Sequence, residues 1–483
     1  MTTTQPEGLD RGLVKLAVIV LTGGMAVVFD TTIVNVALAT LSRDLHVGIA
    51  TTQWVVTAYV LALAMVVPIS GWAMRRFGGK RVWLFSLALF LVGSILSSLA
   101  WNMPSLIAFR VLQGIGGGLM LPLLQNLLVE AAGGRSLGRL MALVSVPALI
   151  GPVLGPVIGG LIISHLSWRW MFWVNVPFCV AGLLLAWRGL RDDGQRAKQR
   201  LDVRGLALLS PAVALLIYGL SQVAIKQGLA HAVVIVPLTL GLALLALFVR
   251  HALWVADEPI IDLRLFRRRS FSASASFLFL SGLALYGAML LLPLYYQQLR
   301  GQSALAAGLL LAPQGLGMLL TRGWAGKATD RVGARPIVLG GLLLALAGTF
   351  AYTQAGLHTN EFLLGLALVV RGAGLGAATI PVMATAYLGL KGTKIADASS
   401  ATRIMQQLGG AFGAAVVGVI LQTQIDAHGL VSPGGLALAF QYTFWWTLAL
   451  TAVAFVPALL LPSKAGAHDL AIAERAEATS LVE

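Results

Sequence analysis

The feature that most limits how this chain can fold is a succession of apolar runs, each about 20 residues long, separated by short loops rich in arginine and lysine. A helix of about 20 apolar residues covers the roughly 30 Å of hydrocarbon in a bilayer, and within hydrocarbon the backbone must satisfy its own hydrogen bonds. Fourteen such runs can be counted, the seventh interrupted by Pro211. Of the 483 residues, 58% are hydrophobic and 11% charged, against roughly 45–50% apolar in soluble domains. A water-soluble fold is excluded, and with it the nucleic-acid partner that a net charge of +15 would otherwise indicate. The expectation is an all-α integral membrane protein with fourteen transmembrane helices.

The cations set its orientation. One set of loops holds only Arg43, Arg169, Lys226 and Arg300, three arginines (Arg110, Arg371 and Arg403) lie within runs, and the rest of the 34 lysines and arginines fall on the other set of loops and on the two ends. Under the positive-inside rule that basic side is cytoplasmic and both termini lie there, in the plasma (inner) membrane of a cell that the Ala, Leu and Gly usage marks as bacterial. The first ten residues are polar and no small-residue cleavage site follows the first run, so it reads as an uncleaved span.

The two ends of the chain repeat each other. Gly71, Arg76, Gly78 and Lys80 after the second run return as Gly326, Arg331, Gly333 and Arg335 after the tenth, where Asp330 also stands. Arg110 with Gly114, and Arg371 with Gly374, follow a similar distance downstream. Runs 1–6 and 9–14 are therefore expected to form two related six-helix bundles, and an even number of joining helices keeps both in the same orientation, a plan found in transporters with a central midplane site. The expected divisions are a cytoplasmic tail (1–12), a first bundle (13–188), a loop (189–202), two linking helices (203–251), a loop (252–269), a second bundle (270–462) and a tail (463–483).

Several stretches resemble one family. The loop from Gly71 to Arg81, the segment Asp30-Thr31-Thr32-Ile33-Val34-Asn35, Arg110 with Gln113 and Gly114, and the series Gly151-Pro152, Gly155-Pro156 and Gly159-Gly160 are similar to the major facilitator superfamily, in the fourteen-span drug/proton antiporter branch. Trp168-Arg169-Trp170 with Phe172, Asn175 and Pro177, the stretch Ile261–Phe266, and Arg403, Gln407, Gly409 and Gly410 extend the likeness over roughly residues 12–462. The resemblance implies proton-coupled export of small, mostly lipophilic molecules, with the span-five series as an antiporter signature, a bendable seam between the bundles. Small residues at i, i+4 and i+8 (Gly151, Gly155 and Gly159) allow close helix contact, and Pro152 and Pro156 bend the helix. One position departs from the family: Arg75 stands where the superfamily usually has an aspartate that latches neighbouring helices on the cytoplasmic side.

Asp30 is the one carboxylate deep in the apolar runs, where an ionisable group costs at least about 2.5–3.5 kcal/mol and reads as functional by default. Helix rise places it about 24 Å above the inner start of run one, and Arg110 about 9 Å below the outer start of run four. In a slab of about 30 Å those depths nearly coincide, so the two are expected to meet, with Gly114, Gly117 and Gly118 letting run one come close. Burial raises a carboxyl's pKa and a neighbouring guanidinium lowers it, while arginine keeps its charge. That competition suits Asp30 as a proton carrier and Arg110 as the group that sets when it holds its proton; a fixed ion pair is the alternative. Arg371 and Arg403 have no deep acid nearby and read as structural, or as partners of carbonyls, Gln406 and Gln407, or an anionic substrate. The resemblance implies a cavity between runs 1, 2, 4 and 5 and their counterparts, for which Gln53, Trp54, Tyr59, Gln113, Asn126, Tyr286, Met289, Tyr295, Gln298, Gln314 and Met383 are candidates, with aromatic and methionine contacts suited to flat, greasy molecules.

Other classes fit poorly. The chain has no phosphate-binding Gly-x-x-x-x-Gly-Lys-Ser/Thr loop for an ATP-driven pump, and no clustered acids or histidines near the outer surface for a lipid-modifying enzyme. A lone Cys179 and scattered histidines give neither a disulfide nor a metal site. No cofactor or metal is expected, and the partners expected are a small-molecule substrate, protons and the lipid bilayer around a monomer. A proton symporter or a facilitator for a metabolite is the nearest rival reading.

Overall fold

The computed structural model describes residues 11–132, 155, 158–163, 165–190, 200–226, 230–256, 258–390, 393–428 and 433–463. Gly151, Pro152 and Pro156, with most of the fifth run, lie outside them. The main helices are α1 (Arg11–Ile33), continued through a 3-10 turn at Val34–Ala37; α2 (Trp54–Val66) and α3 (Ile69–Phe77), bent by 56° about Pro68; α4 (Gly79–Ser98); α5 (Met103–Ala132); and α6 (Asn175–Gly189). After these come α7 (Val203–Lys226), α8 (Ala232–Arg250), α9 (Arg269–Leu294), α10 (Ala304–Val332), α11 (Ala334–Thr353), α12 (Glu361–Ala386), α13 (Thr393–His428), α14 (Pro433–Val453) and α15 (Phe455–Leu460). Among the described residues there is no strand. Among the described residues eleven helices are long and apolar enough to cross a membrane, or twelve if the bent α2–α3 pair is one span. The tenth expected run forms α10, 29 residues long, outside that count.

The internal repeat extends to packing. In the first half α1, α2 and α4 pack on α5, and α6 packs on α1 and α4. In the second half α9, α10 and α11 pack on α12, and α14 packs on α9 and α11. Between the halves, α7 packs on its partner α8 and also touches both α2 and α13. Ser210 Oγ donates to the Met65 carbonyl at 2.5 Å, and Trp54 stacks on Tyr218 with centroids 5.7 Å apart. The linking pair is thus built onto the two halves rather than hung beside them.

The repeated loop owes its shape to one glycine in each copy. Gly78 (φ +86°) and Gly333 (φ +91°) turn the chain directly from α3 into α4 and from α10 into α11, in a region of backbone space nearly closed to side-chain-bearing residues. The cation two residues on then ties down a helix end: Lys80 Nζ donates to the Trp187 carbonyl at 2.8 Å, and Arg335 Nε to the Leu461 carbonyl at 2.7 Å. These carbonyls belong to the last turn of α6 and the residue after α15, where positive charge is favoured.

One apolar cluster runs through both halves near the basic face, from Val67, Met74 and Leu123 to Ile380, Ile395 and Ile404. Toward the opposite face the clusters are separate, one within the first half around Phe29 and Phe172, one within the second around Tyr295 and Phe440. Among the described residues the buried apolar contacts therefore join the halves at the basic face, whereas these two clusters at the other face each stay within one half. Replacing Gly78 or Gly333 by valine is expected to cost about 1–3 kcal/mol through the forced backbone, read as a lower thermal midpoint in detergent for each variant; an unaltered midpoint in both would contradict the shared role.

Candidate functional site

Asp30 lies on α1, one turn before that helix tightens at Val34, and is 1% exposed. Its Oδ2 accepts from Arg110 Nη1 at 2.6 Å, and its Oδ1 accepts from Gln113 Nε2 at 2.9 Å and Asn175 Nδ2 at 3.0 Å. Arg110 and Gln113 sit one turn apart on α5 and are bonded to each other, Nη1 to Oε1, at 2.7 Å. Arg110 Nε also donates to the Val55 carbonyl of α2 at 3.1 Å, and its guanidinium lies 4.0 Å from the centre of the Tyr59 ring. Asn175 is held in turn by Ser94 Oγ of α4 at 3.1 Å, and Ser94 donates to the Phe172 carbonyl at 2.8 Å. Helices α1, α2, α4, α5 and α6 therefore all contribute to one buried network.

Every contact to the Asp30 carboxyl is a donor. An ionised carboxylate accepts all three with the help of its charge, whereas protonation removes that charge and weakens each of them, the contact to the Arg110 guanidinium most. Charged hydrogen bonds of this kind are short and strong, and in a dry interior they replace the water that the pair has lost.

Close helix approach makes this possible, though not between the helices expected. A Cβ on Gly114 would lie 2.5 Å from the Tyr59 carbonyl oxygen, and one on Gly118 would strike the Leu63 backbone. The glycines admit α2 rather than α1, because they lie on the face of α5 that turns Arg110 toward Val55 and Tyr59. Gly155 is the residue that meets α1, where an added Cβ would collide with the Thr32 hydroxyl, and Gly159 is buried.

The other sequence candidates scatter. Tyr59 and Gln113 belong to the network, and Gln53 is half-buried at the head of α2. Trp54 faces Tyr218 of the linking pair. Asn126 is buried with neither side-chain polar atom bonded. Tyr286 (40% exposed) and Met289 (38%) line α9, with the Tyr286 ring against Gly410. Tyr295 is core: it packs with Tyr352, Phe440 and Phe444, and its hydroxyl donates to the Gly356 carbonyl at 2.9 Å. Gln298 is exposed, Met383 packs on the basic-face cluster, and Gln314 accepts from Arg371. Arg371 is further held by Thr349 Oγ1 at 3.2 Å and the Ala284 carbonyl at 3.3 Å, a fully neutral cage inside the second half.

At the basic face, polar contacts cross between the halves. Arg75 Nη1 meets Asp397 Oδ1 at 2.8 Å, with both side chains under 10% exposed. Ser70 and Ser400 hydroxyls are 3.0 Å apart, and Gln125 Oε1 accepts from Tyr387 at 2.9 Å and Ser399 at 3.3 Å. Gly71 keeps this contact close, since an added Cβ would sit 3.3 Å from that of Ala396. Of the repeat residues, Gly326 is buried, while Arg76, Asp330 and Arg331 are exposed. Sequence reasoning assigns no role to Asn175, Ser94 or Asp397; Asn175 stands within a stretch carrying the family likeness, and Asp397 offers only its charge.

A sequence profile described as the Major Facilitator Superfamily matches residues 20–414. The chain belongs to this superfamily. Among curated members it is 38% identical over 429 residues to a multidrug resistance protein B homolog of Mycobacterium tuberculosis, covering 88% of this chain and 79% of that one. It is 31% identical to the multidrug export protein EmrB of Haemophilus influenzae (80% and 76% covered), and 27% identical to the lincomycin resistance protein LmrB of Listeria monocytogenes (84% and 86%). Among solved structures the superfamily fold recurs in the proton:xylose symporter XylE, with a TM-score of 0.63 at 15% identity over 93% of this chain and 96% of that one. Superfamily membership makes this a multi-pass membrane transporter acting on small molecules.

Because Arg110 neutralises a carboxylate with almost no access to water, Arg110→Gln is expected to cost about 3–5 kcal/mol, the effect of stranding one member of a buried pair. Size-exclusion of the detergent-extracted variant should lose most of the folded peak, and adding Asp30→Asn in the same chain should restore it. A single variant as well folded as the parent would contradict this.

Proposed function

We propose that this transporter is a fourteen-span, proton-coupled antiporter that exports small, mostly lipophilic molecules across a bacterial plasma membrane, with both termini in the cytoplasm. The observation that carries the reading is the Asp30 carboxylate, buried among three donors in a chain whose halves are joined at the basic face. The curated relatives' names, multidrug resistance and export, support the class of cargo. The count of fourteen adds α10 and the fifth run to the helices that meet the length and hydropathy requirement. On this reading residues 13–188 and 270–462 are the moving bundles, 203–251 the linking pair, and the basic loops 189–202 and 252–269 lie inside, as do the two tails.

The chemistry follows from the charge on Asp30. With the basic face cytoplasmic, the joined arrangement is closed to the inside. When the outer halves part and water reaches α1, Asp30 takes a proton from the more acidic exterior and gives up one of its three donors, Arg110 first, since neutralising the acid removes the main attraction between them. When the bundles rock to open inward, re-formation of the Arg110 contact expels the proton to the cytoplasmic side. Alternate opening is governed by Arg75 and Asp397: they take the place of the family's aspartate latch with the charges exchanged, the cation on α3 and the acid at the start of α13. The series Gly151–Gly159 supplies the bend in the fifth span. Tyr286 and Met289, part-exposed on α9, are the candidates open to cargo.

Everted vesicles separate this reading from its rival. An antiporter is expected to accumulate a lipophilic dye when the lumen is acid, whereas a symporter would release it. Asp30→Asn should still bind the dye but lose accumulation driven by the pH gradient, while full coupling in that variant would overturn the assignment.

A further inference from the structure

The side-chain amide of Asn175 is only half used. Its Nδ2 donates to Asp30 Oδ1 at 3.0 Å and to Ser94 Oγ at 3.1 Å, while its Oδ1 is buried and bonded to nothing. Most buried polar atoms in a folded protein have a partner, and this one belongs to a side chain that touches the Asp30 carboxyl.

The unused oxygen matters once Asp30 holds a proton. A neutral carboxylic acid has an O–H to donate, and a buried donor left without an acceptor is costly. Of the three side chains on the carboxyl, Arg110 has only hydrogens to offer, and Gln113 Oε1 is committed to Arg110 Nη1 at 2.7 Å. Asn175 Oδ1 is the free acceptor among them. A half-turn of the amide brings it to the place of Nδ2, facing Asp30 Oδ1. The turn forfeits no bond to Oδ1, which has none. Ser94, whose hydroxyl donates to the Phe172 carbonyl at 2.8 Å, can meet either setting of the amide, because a hydroxyl both gives and takes. Nδ2 then occupies the position that Oδ1 leaves, away from its two acceptors, which draws the amide back once the acid ionises.

We infer that Asn175 is a positioning residue that reverses its sense with Asp30: it donates to the carboxylate and, turned about, accepts the O–H of the acid, so that the proton is held on Oδ1, the oxygen not bonded to Arg110. This rests on the transport reading above and adds to it the seat of the proton. The other charged or titratable groups about the site are Arg110 on α5, Tyr59 on α2 with its ring 4.0 Å from the guanidinium, and Cys179 one turn along α6 from Asn175, while α4 contributes the neutral Ser94. An arginine keeps its charge, and a phenol or thiol is uncharged in mildly acid water, so among these groups acidification acts on Asp30.

Infrared difference spectroscopy of the purified full chain tests this, with asparagine isotopically labelled in the side-chain carbonyl, a label that reports on five residues. On acidification of the parent protein the carboxylic-acid band of Asp30 is expected to rise together with a fall in frequency of one labelled carbonyl, as Asn175 Oδ1 passes from unbonded to hydrogen-bonded; that fall should be missing from Asn175→Leu. In Asn175→Leu the pH at which the acid band is half-formed should also drop, with roughly tenfold more protons needed, because the acid loses its acceptor while the carboxylate keeps Arg110 and Gln113. A residue serving only as a donor to the carboxylate would give the opposite sign, so an unchanged or higher half-point overturns the inference. Asn175→Ser, whose hydroxyl also works in both senses, should lie between parent and Asn175→Leu. An acid band that grows in the parent with every labelled carbonyl unmoved overturns the inference and leaves the transport reading standing, and that measurement needs no variant to fold. An acid band absent at every pH removes both.

Discussion

A carboxylate and a guanidinium held 2.6 Å apart, with almost no exposure to water, set the terms for the rest of this structure. The carboxylate is costly there without its cation, while Arg110 keeps the Gln113 Oε1, the Val55 carbonyl and the Tyr59 ring even beside a neutral residue, and the surrounding helices are arranged accordingly: α5 brings Arg110 and Gln113, α6 brings Asn175, α4 steadies Asn175 through Ser94, and α2 offers a carbonyl and an aromatic face. The glycines of α5 are part of the same solution, because side chains there would hold α2 away and leave Arg110 Nε without its acceptor. A buried pair of this kind is weak support for stability, since apolar side chains would serve as well or better. Its retention makes most sense as a two-state element, closed while the acid is ionised and loosened when the acid is neutral.

The two halves share a scaffold and differ in charge. Tyr59 on Arg110 and Ser94 on Asn175 correspond, at the spacing of the repeated loop, to Gln314 and Thr349 around Arg371. Where the first half sets Asp30, the second offers Arg371 only the Ala284 carbonyl. One bundle thus holds an ion pair, and the other a cation held by neutral groups alone. The exchange at the basic face follows the same economy of charge: Arg75 would leave the seam with an unmatched cation, and Asp397 on the opposite helix matches it. The first helix of the linking pair, α7, packs on both α2 and α13, so it bridges the two halves rather than trailing beside them.

Much of this was legible in the sequence, for identifiable reasons. Run length and loop charge are one-dimensional consequences of a slab-shaped solvent, which is why the helices and the repeat could be read directly, and depth along a helix axis is arithmetic, which is why Asp30 and Arg110 could be brought together. Rotation about each axis is not encoded so simply. The α5 glycines therefore met α2 instead of α1, Trp54 turned to the linking pair, and Tyr295 entered an aromatic core. Neutral partners were harder still: Asn175 and Ser94 carry no charge to mark them in an apolar run, and only the buried carboxylate gives them meaning. The Arg75 departure looked like a lost latch because its partner lies 322 residues away, beyond the reach of any local pattern.

The central claim is that Asp30 changes protonation as the bundles move, and infrared difference spectroscopy of the purified protein across a pH titration tests it most directly. A protonated-carboxyl C=O stretch should appear as the pH falls, shift in deuterium oxide, and be missing from the Asp30→Asn protein. A spectrum in which that band is absent throughout, or survives unchanged in the variant, would contradict the account.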